Sequence, residues 1–149
     1  MFTDIEQALV ERLKAQLKET MPNVHVLTAS DLADIDEGKQ PTPAIHVIYN
    51  GYRVKQNRPD GKVAAVTQTW LTVVAVRNVR DRRKGAAARE DAIQLRQKIT
   101  EELMGFHPQI AASPLTLTNA PAQGTNNGFL YVPLAFAVDT VLNAKQTAN

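Results

Sequence analysis

The spacing of apolar residues along the chain follows two different periods, and each period predicts one kind of element. From Ile5 to Met21 an apolar residue returns at every fourth position, which is typical of a helix with one buried face. Residues 86–104 show a similar stripe that stops at Gly105 and predicts a second helix. Short or alternating apolar runs predict five strands, at residues 24–28, 44–52, 62–77, 115–118 and 129–142. The expected order is therefore α-β-β-β-α-β-β.

Turn-forming residues connect the predicted strands in two places. The run Arg58-Pro59-Asp60-Gly61 separates the second and third strands and predicts a long antiparallel hairpin. An Asn127-Gly128 pair precedes the last strand and favours a second hairpin. These connections predict an α+β fold, with two helices packed on one face of a mostly antiparallel mixed sheet.

The third and last strands carry apolar residues on both faces. In the last strand Leu130 and Val132 share one face, whereas Phe129 and Tyr131 share the other. Two helices cover only one face of a five-stranded sheet. The second face is therefore covered by loops and a curled sheet, exposes small residues, or contacts another subunit. Pro133 cannot donate a backbone hydrogen bond, which places it at a sheet edge or a bulge.

Composition limits the classes of protein to which the chain can belong. It has 149 residues, 44% of them hydrophobic and 21% charged, which is typical of one soluble domain. We expect that domain at residues 1–142 and a flexible tail at residues 143–149. The sequence has no cysteine, which excludes disulfides and thiol nucleophiles. Its longest apolar run is far shorter than the ~20 residues of a membrane span, so no membrane partner is expected.

None of the polar clusters has the spacing that catalysis or metal binding requires. The predicted loop at residues 30–43 contains four acidic residues, but Gly38 stands at the fifth position of a calcium-loop pattern instead of the sixth. The three histidines lie in separate elements, and neither serine has a histidine nearby in sequence. The sequence contains no glycine-rich phosphate loop. We therefore expect no enzyme activity, no metal and no cofactor.

Positive charge is concentrated in one segment. Residues 77–98 contain eight basic and three acidic residues, a net charge of +5 in a chain whose total is +2. Such a segment contacts an acidic protein surface, binds nucleic-acid phosphates or lies in solvent. Of the two partners we favour the protein surface, because no aromatic residues interleave with the basic cluster. The candidate partner-binding residues lie there and at the predicted hairpin tip: Arg77, Arg80, Arg82, Arg83, Lys84, Arg53, Lys55 and Arg58.

The order of the elements and the sequences of several strands resemble a known family. An amphipathic helix at residues 5–21 precedes the strand Pro43-Ala44-Ile45-His46-Val47-Ile48-Tyr49, and a long strand at residues 67–76 leads to the second helix. The closing strand is Phe129-Leu130-Tyr131-Val132-Pro133-Leu134-Ala135-Phe136-Ala137-Val138. Over residues 3–142 this pattern resembles the tail terminator (tail completion) proteins of long-tailed bacteriophages, of the minor-tail-protein-U and Mu-like prophage types.

The resemblance implies a structural virion protein and not an enzyme. Such a subunit forms a hexameric ring at the head-proximal end of the tail, stops polymerisation of the tube and provides the docking surface for the head. Its partners would be further copies of itself, the tail tube protein and a head–tail connector or neck protein, with assembly in the host cytoplasm.

No family motif identifies the contact residues, so these follow from the strand faces and the charge pattern. We expect Phe129, Tyr131 and Pro133 at the subunit interface, because they lie on the last strand. The basic cluster is expected to contact acidic partner surfaces, or DNA that passes through the ring.

Two alternatives to a tail terminator stay open at this point. One is another head–tail connector or neck protein of the same virion. The other is a small nucleic-acid-binding regulator that uses residues 77–98.

Overall fold

The computed structural model describes residues 2–78 and 82–145, with the backbone alone for Phe2 and residues 82–85. The described helices are α1 (Phe2–Leu17), α2 (Ala29–Ala33) and α3 (Arg82–Leu103), and a 3-10 turn spans Glu37–Lys39. The described strands are β1 (His25–Thr28), β2 (Ala44–Asn57), β3 (Val63–Arg77), β4 (Thr116–Thr118), β5 (Gly124–Asn126) and β6 (Phe129–Asn143). These elements confirm the predicted α+β class.

The described strands form one mixed sheet with β3 at its centre. The strand order is β1-β2-β3-β6-β4, and β5 also pairs with β6. β1 runs parallel to β2, and the other pairs are antiparallel. β3 and β6 pair without a register break along their whole length. Because strand side chains alternate, even-numbered residues of β3 and β6 share one face and odd-numbered residues share the other.

Helices α1 and α3 cover the even-numbered face, which we call the helix-covered face. Trp70 and Phe136 stand opposite each other on this face and are 1% and 0% exposed. The predicted stripes of both helices pack against them, which confirms the helical period in each case. The helix residues in this core are Ile5, Leu9, Leu13, Leu17, Ala92, Leu95, Ile99 and Leu103.

The loop between β1 and β2 contains a helix that the apolar pattern does not predict. The Thr28 hydroxyl accepts a hydrogen bond from the Asp31 amide, and the Asp31 carboxylate accepts one from the Thr28 amide. This reciprocal pair caps the N-terminus of α2. Because α2 has five residues and none of them is buried, it leaves no helical period in the sequence.

The second hairpin joins strands other than those expected. Asn127 and Gly128 have positive φ angles of 48° and 82°, as a tight hairpin turn requires, but they connect β5 rather than β4 to β6. β4 pairs farther along β6, opposite residues 135–137. Pro133 lies between these two paired stretches, where β6 has no outer neighbour among the described strands. This is the edge position that its missing N–H favours.

The ends of several elements also differ from expectation. α3 begins at Arg82 rather than residue 86, and β2 continues to Asn57 rather than residue 52. β6 reaches Asn143, and the amide of Ala144 donates to the carbonyl of Lys62 at 2.8 Å. Residues 146–149 lie outside the described part of the chain, so the flexible tail stays a prediction.

Candidate assembly surface

The face that carries the odd-numbered residues of β3 and β6 is apolar but only partly covered, and we call it the open face. Leu71, Val73 and Pro133 lie on it, together with Ile48 of β2, which pairs with Leu71. Each of the four is half-buried. Trp70, the neighbour of Leu71 in β3, points to the helix-covered face and is 1% exposed. Large apolar side chains that stay accessible on a sheet are typical of a surface that binds another protein.

One end of the open face is covered by the loop that follows α2. Tyr131 donates its hydroxyl proton to the Glu37 carboxylate at 2.6 Å and accepts a hydrogen bond from Gln40 Nε2 at 2.7 Å. The side-chain amides of Asn126 and Asn127 also donate to Glu37. These bonds lower the pKa of the Glu37 carboxyl, and the bond from Tyr131 contributes most. The loop is therefore tied to β6 by a charged hydrogen-bond network.

A buried histidine lies beside this network. His46 is 5% exposed, and its ring centroid is 6.1 Å from that of Tyr131. Its Nε2 atom has no hydrogen-bond partner among the described residues. Burial lowers the pKa of His46, because the imidazolium would lose its hydration. At neutral pH the uncharged ring therefore packs here as part of the protein interior.

The outer half of β2 forms an exposed edge of the sheet. β1 pairs with residues 44–47 of β2 only, so β2 has no outer neighbour beyond Val47 among the described strands. Its register with β3 shifts at two places, one of them at Gly51, where φ is 91°. Bulges and charged residues on an edge strand prevent unwanted pairing with other strands. This edge is therefore poorly suited to the extension of the sheet by a second chain.

Two of the three basic residues predicted at the hairpin tip are paired within the chain. Lys55 Nζ lies 3.0 Å from the carboxylate of Asp139. Arg58 donates two hydrogen bonds to Asp60, at 2.9 and 2.7 Å. Arg53 has an exposed side chain on the same stretch. Of the three, Arg53 is therefore the most available to a partner.

A groove of about 280 Å³ lies between α3 and the start of β6, and we call it the α3 groove. Ile93, which is 59% exposed, lines it on the α3 side. The apolar spacing alone does not predict this groove, although Ile93, an apolar residue off the buried stripe of α3, is a visible signal of it. Its lining residues are Arg89, Ala92, Ile93, Arg96, Gln123, Leu130 and Val132.

Comparison with protein families identifies the family of the chain that carries this surface. The model of the phage tail terminator protein family matches residues 2–147, nearly the whole chain. The chain belongs to the phage tail terminator family. No curated protein matches it. The match confirms the predicted family and makes the chain a structural component of a phage tail.

As a tail terminator, the chain works through contacts with the tail tube and with head-proximal parts of the virion. The three residues predicted for the subunit interface lie on the open face, where β6 places its odd-numbered side chains. Pro133 is half-buried, and Tyr131 is half-buried and bound to Glu37. Phe129 is 0% exposed, with the Arg77 guanidinium 4.9 Å from its ring centroid. Phe129 therefore has no surface that a partner could contact in the single chain, and the interface itself stays a prediction.

The predicted basic cluster of the terminator lies only partly within the described residues. Arg77 is exposed, and its Nη2 lies 3.5 Å from the carbonyl oxygen of Gly38. Arg80 lies outside the described residues. The backbone of Arg82, Arg83 and Lys84 forms the start of α3, and their side chains lie outside the description. Partner binding by these residues stays a prediction.

Among residues 2–78 and 82–145 of the terminator, no three histidine, aspartate or glutamate side chains are grouped so that they could hold a metal ion. None of the helices described is both long and apolar enough to cross a membrane.

Proposed function

We propose that this chain forms a hexameric ring at the head-proximal end of the tail. The ring caps the tube, stops its polymerisation and presents a docking surface to the head–tail connector. Membership of the tail terminator family supports this function over the two alternatives, a different neck protein and a nucleic-acid-binding regulator. In the ring, the basic residues at the start of α3 contact acidic partner surfaces or the DNA that passes through.

The observation that carries the proposal is the apolar open face. Ile48, Leu71, Val73 and Pro133 stay half-buried in the isolated chain, although every even-numbered residue of β3 from Val66 to Val76 is buried beneath the helices. A neighbouring copy in the ring covers this surface and removes its apolar area from water. The contact is heterologous, because a closed ring joins two different patches of successive subunits.

A charged substitution on the open face tests this proposal. We expect Leu71→Asp to fold but to lose self-association, because a carboxylate would be buried in the interface without a partner. Ile110→Asp places the same charge on an exposed loop residue, 52% accessible, and serves as the matched control. Sedimentation equilibrium and electron microscopy measure the ring, and tail length is measured in a phage that lacks this gene and is complemented by each variant.

The expected results are rings and normal tails for the wild-type chain and for Ile110→Asp, and overlong tails for Leu71→Asp. Normal tail length with Leu71→Asp would contradict the role of the open face. Overlong tails with the wild-type chain would contradict the terminator function of this chain.

A further inference from the structure

The α3 groove combines an apolar lining with two unpaired positive charges. Arg89, Ile93 and Arg96 lie on one side of α3, because residues four and seven positions apart return to the same side of a helix. Glu90 and Asp91 are turned about 100° and 200° away from Arg89 around the helix. Neither arginine forms an ion pair with any residue that the structure describes. The groove therefore suits a ligand that offers both carboxylates and apolar side chains.

A segment of the same chain has that complementary chemistry. Residues 32–36, which we call the acidic segment, follow the capped start of α2. Asp34 and Asp36 are exposed, and neither carboxylate is paired within the described part of the chain. Leu32 and Ile35 alternate with them and are half-buried. The segment therefore offers two free carboxylates at the edge of a small apolar surface.

The fold places the acidic segment and the α3 groove on opposite sides of the sheet. Glu37, directly after the acidic segment, is bonded to Tyr131, whose side chain lies on the open face. The groove is lined by Leu130 and Val132, the two neighbours of Tyr131 in β6, which point to the helix-covered face. One chain therefore cannot bring the segment into its own groove.

From this arrangement we infer that the acidic segment of one copy docks into the α3 groove of the next copy. The inference rests on the proposed ring and names the polar part of its interface. Asp34 and Asp36 pair with Arg89 and Arg96, while Ile93 is covered by the neighbour. Since the two surfaces lie on opposite sides, a copy whose acidic segment is docked still has a free α3 groove, and a copy whose groove is filled still has a free acidic segment. Such contacts repeat from copy to copy until the ring closes.

Charge reversal on each surface tests the inference. Arg89→Glu with Arg96→Glu gives the groove variant, and Asp34→Lys with Asp36→Lys gives the segment variant. Asp31 is left intact because its carboxylate caps α2. Each variant should self-associate about 100-fold more weakly than the wild-type chain, because like charges then face each other across the interface. Sedimentation velocity at low ionic strength measures this, since salt screens such pairs.

Two further samples separate a head-to-tail contact from a general effect of charge. An equimolar mixture of the groove variant and the segment variant should recover rings of alternating copies, because every contact then joins opposite charges, either the wild-type pair or the reversed pair. A chain that carries all four substitutions should recover the ring, because the reversed charges match again. Lys14→Glu with Lys18→Glu, and Glu11→Lys with Glu19→Lys, make the same charge changes on exposed residues of the α1 region and should leave the ring unchanged.

Tail length in the complemented phage is measured for the same variants, so that assembly which needs the tail tube is also tested. Rings and normal tails with the groove variant would overturn the inference and leave the ring proposal standing. Rings with the groove variant but failed joining of tails to heads would assign the groove to an acidic segment of another virion protein. A wild-type chain that forms no ring and leaves tails overlong would overturn the proposed function itself.

Discussion

The two faces of the sheet use the same strands but bury their side chains to different degrees. Trp70 and Leu71 are neighbours in β3, yet the first is 1% exposed beneath the helices and the second is half-buried on the open face. The helix-covered face provides the core that stabilises the single chain. On the open face, apolar area stays accessible to solvent in the single chain and is available for contact with another subunit.

The hydrogen-bonded polar side chains also lie at different places on the two faces. On the helix-covered face Trp70 Nε1 donates to Gln68 Oε1 at 2.9 Å, and Gln68 Nε2 donates to Thr140 Oγ1 at 2.9 Å. On the open face the bonded groups stand near the margin, where the Thr67 hydroxyl donates to Asp139 at 2.7 Å. These polar groups are paired within the chain, whereas among the described residues Nε2 of His46 and Oγ1 of Thr72 are buried without a hydrogen-bond partner.

The largest expected difference between the faces is in stability. Trp70→Ala should lower the free energy of unfolding by about 3–5 kcal/mol, because it leaves a large cavity between the sheet and the helices. Leu71→Ala, its neighbour on the open face, should cost about 1 kcal/mol or less in the monomer and weaken self-association instead. Urea denaturation measures both. Equal losses of stability from the two substitutions would contradict the division between the faces.

A smaller effect on stability is expected from the side-chain hydrogen bonds that link Trp70, Gln68 and Thr140 under the helices. Gln68→Leu leaves the indole N–H of Trp70 without an acceptor and should cost about 1–3 kcal/mol. Gln56→Leu makes the same change at an exposed position and should stay within about 0.5 kcal/mol of the wild-type value. Thermal unfolding of both variants checks this, and a neutral Gln68→Leu would show that the indole finds another acceptor.

A pH-dependent effect is expected at the covered end of the open face. Burial lowers the pKa of His46 in the folded chain, so the unfolded chain binds more protons as the pH falls below about 6.5. The folded state therefore loses stability from about pH 6.5 downward, until the pH falls below the folded pKa. His46→Leu should flatten this part of the curve of melting temperature against pH. An unchanged slope in His46→Leu would contradict the assignment.

The smallest effect is expected at the exposed margin. Lys55→Ala removes a partly exposed ion pair with Asp139 and should cost about 0.2–1 kcal/mol, less at high salt. Arg53→Ala, at a neighbouring exposed position, serves as the control and should have no larger effect. Urea denaturation at two salt concentrations measures both, and a cost above that of Gln68→Leu would reverse the proposed order.

The sequence predicts the elements whose apolar residues repeat regularly over many positions. The stripes of α1 and α3 and the two apolar faces of β3 and β6 can be read from residue spacing, and all four are present. β5 could not be predicted, because Gly124–Asn126 has neither apolar residues nor alternation. The pairing of β4 with residues 135–137 is a contact between distant segments, which a local pattern does not contain.

The candidate site was predictable only in outline. The pattern of β6 indicated a second apolar face, and the charge pattern indicated a basic segment. Pairing within the chain is not visible in the sequence: Asp139 and Asp60 bind Lys55 and Arg58, two of the residues predicted to bind a partner. The α3 groove depends on how close Ile93 comes to β6, which only the packed structure determines.

The most direct measurement of the central claim is the accessibility of the open face before and after assembly. The sequence has no cysteine, so Leu71→Cys introduces a single thiol at the centre of that face, and Lys18→Cys introduces one at an exposed control position. We predict that the thiol at position 71 reacts with a maleimide in the free subunit and is protected in assembled tails, while the thiol at position 18 reacts equally in both. Equal labelling at position 71 in free subunits and in assembled tails would contradict the account.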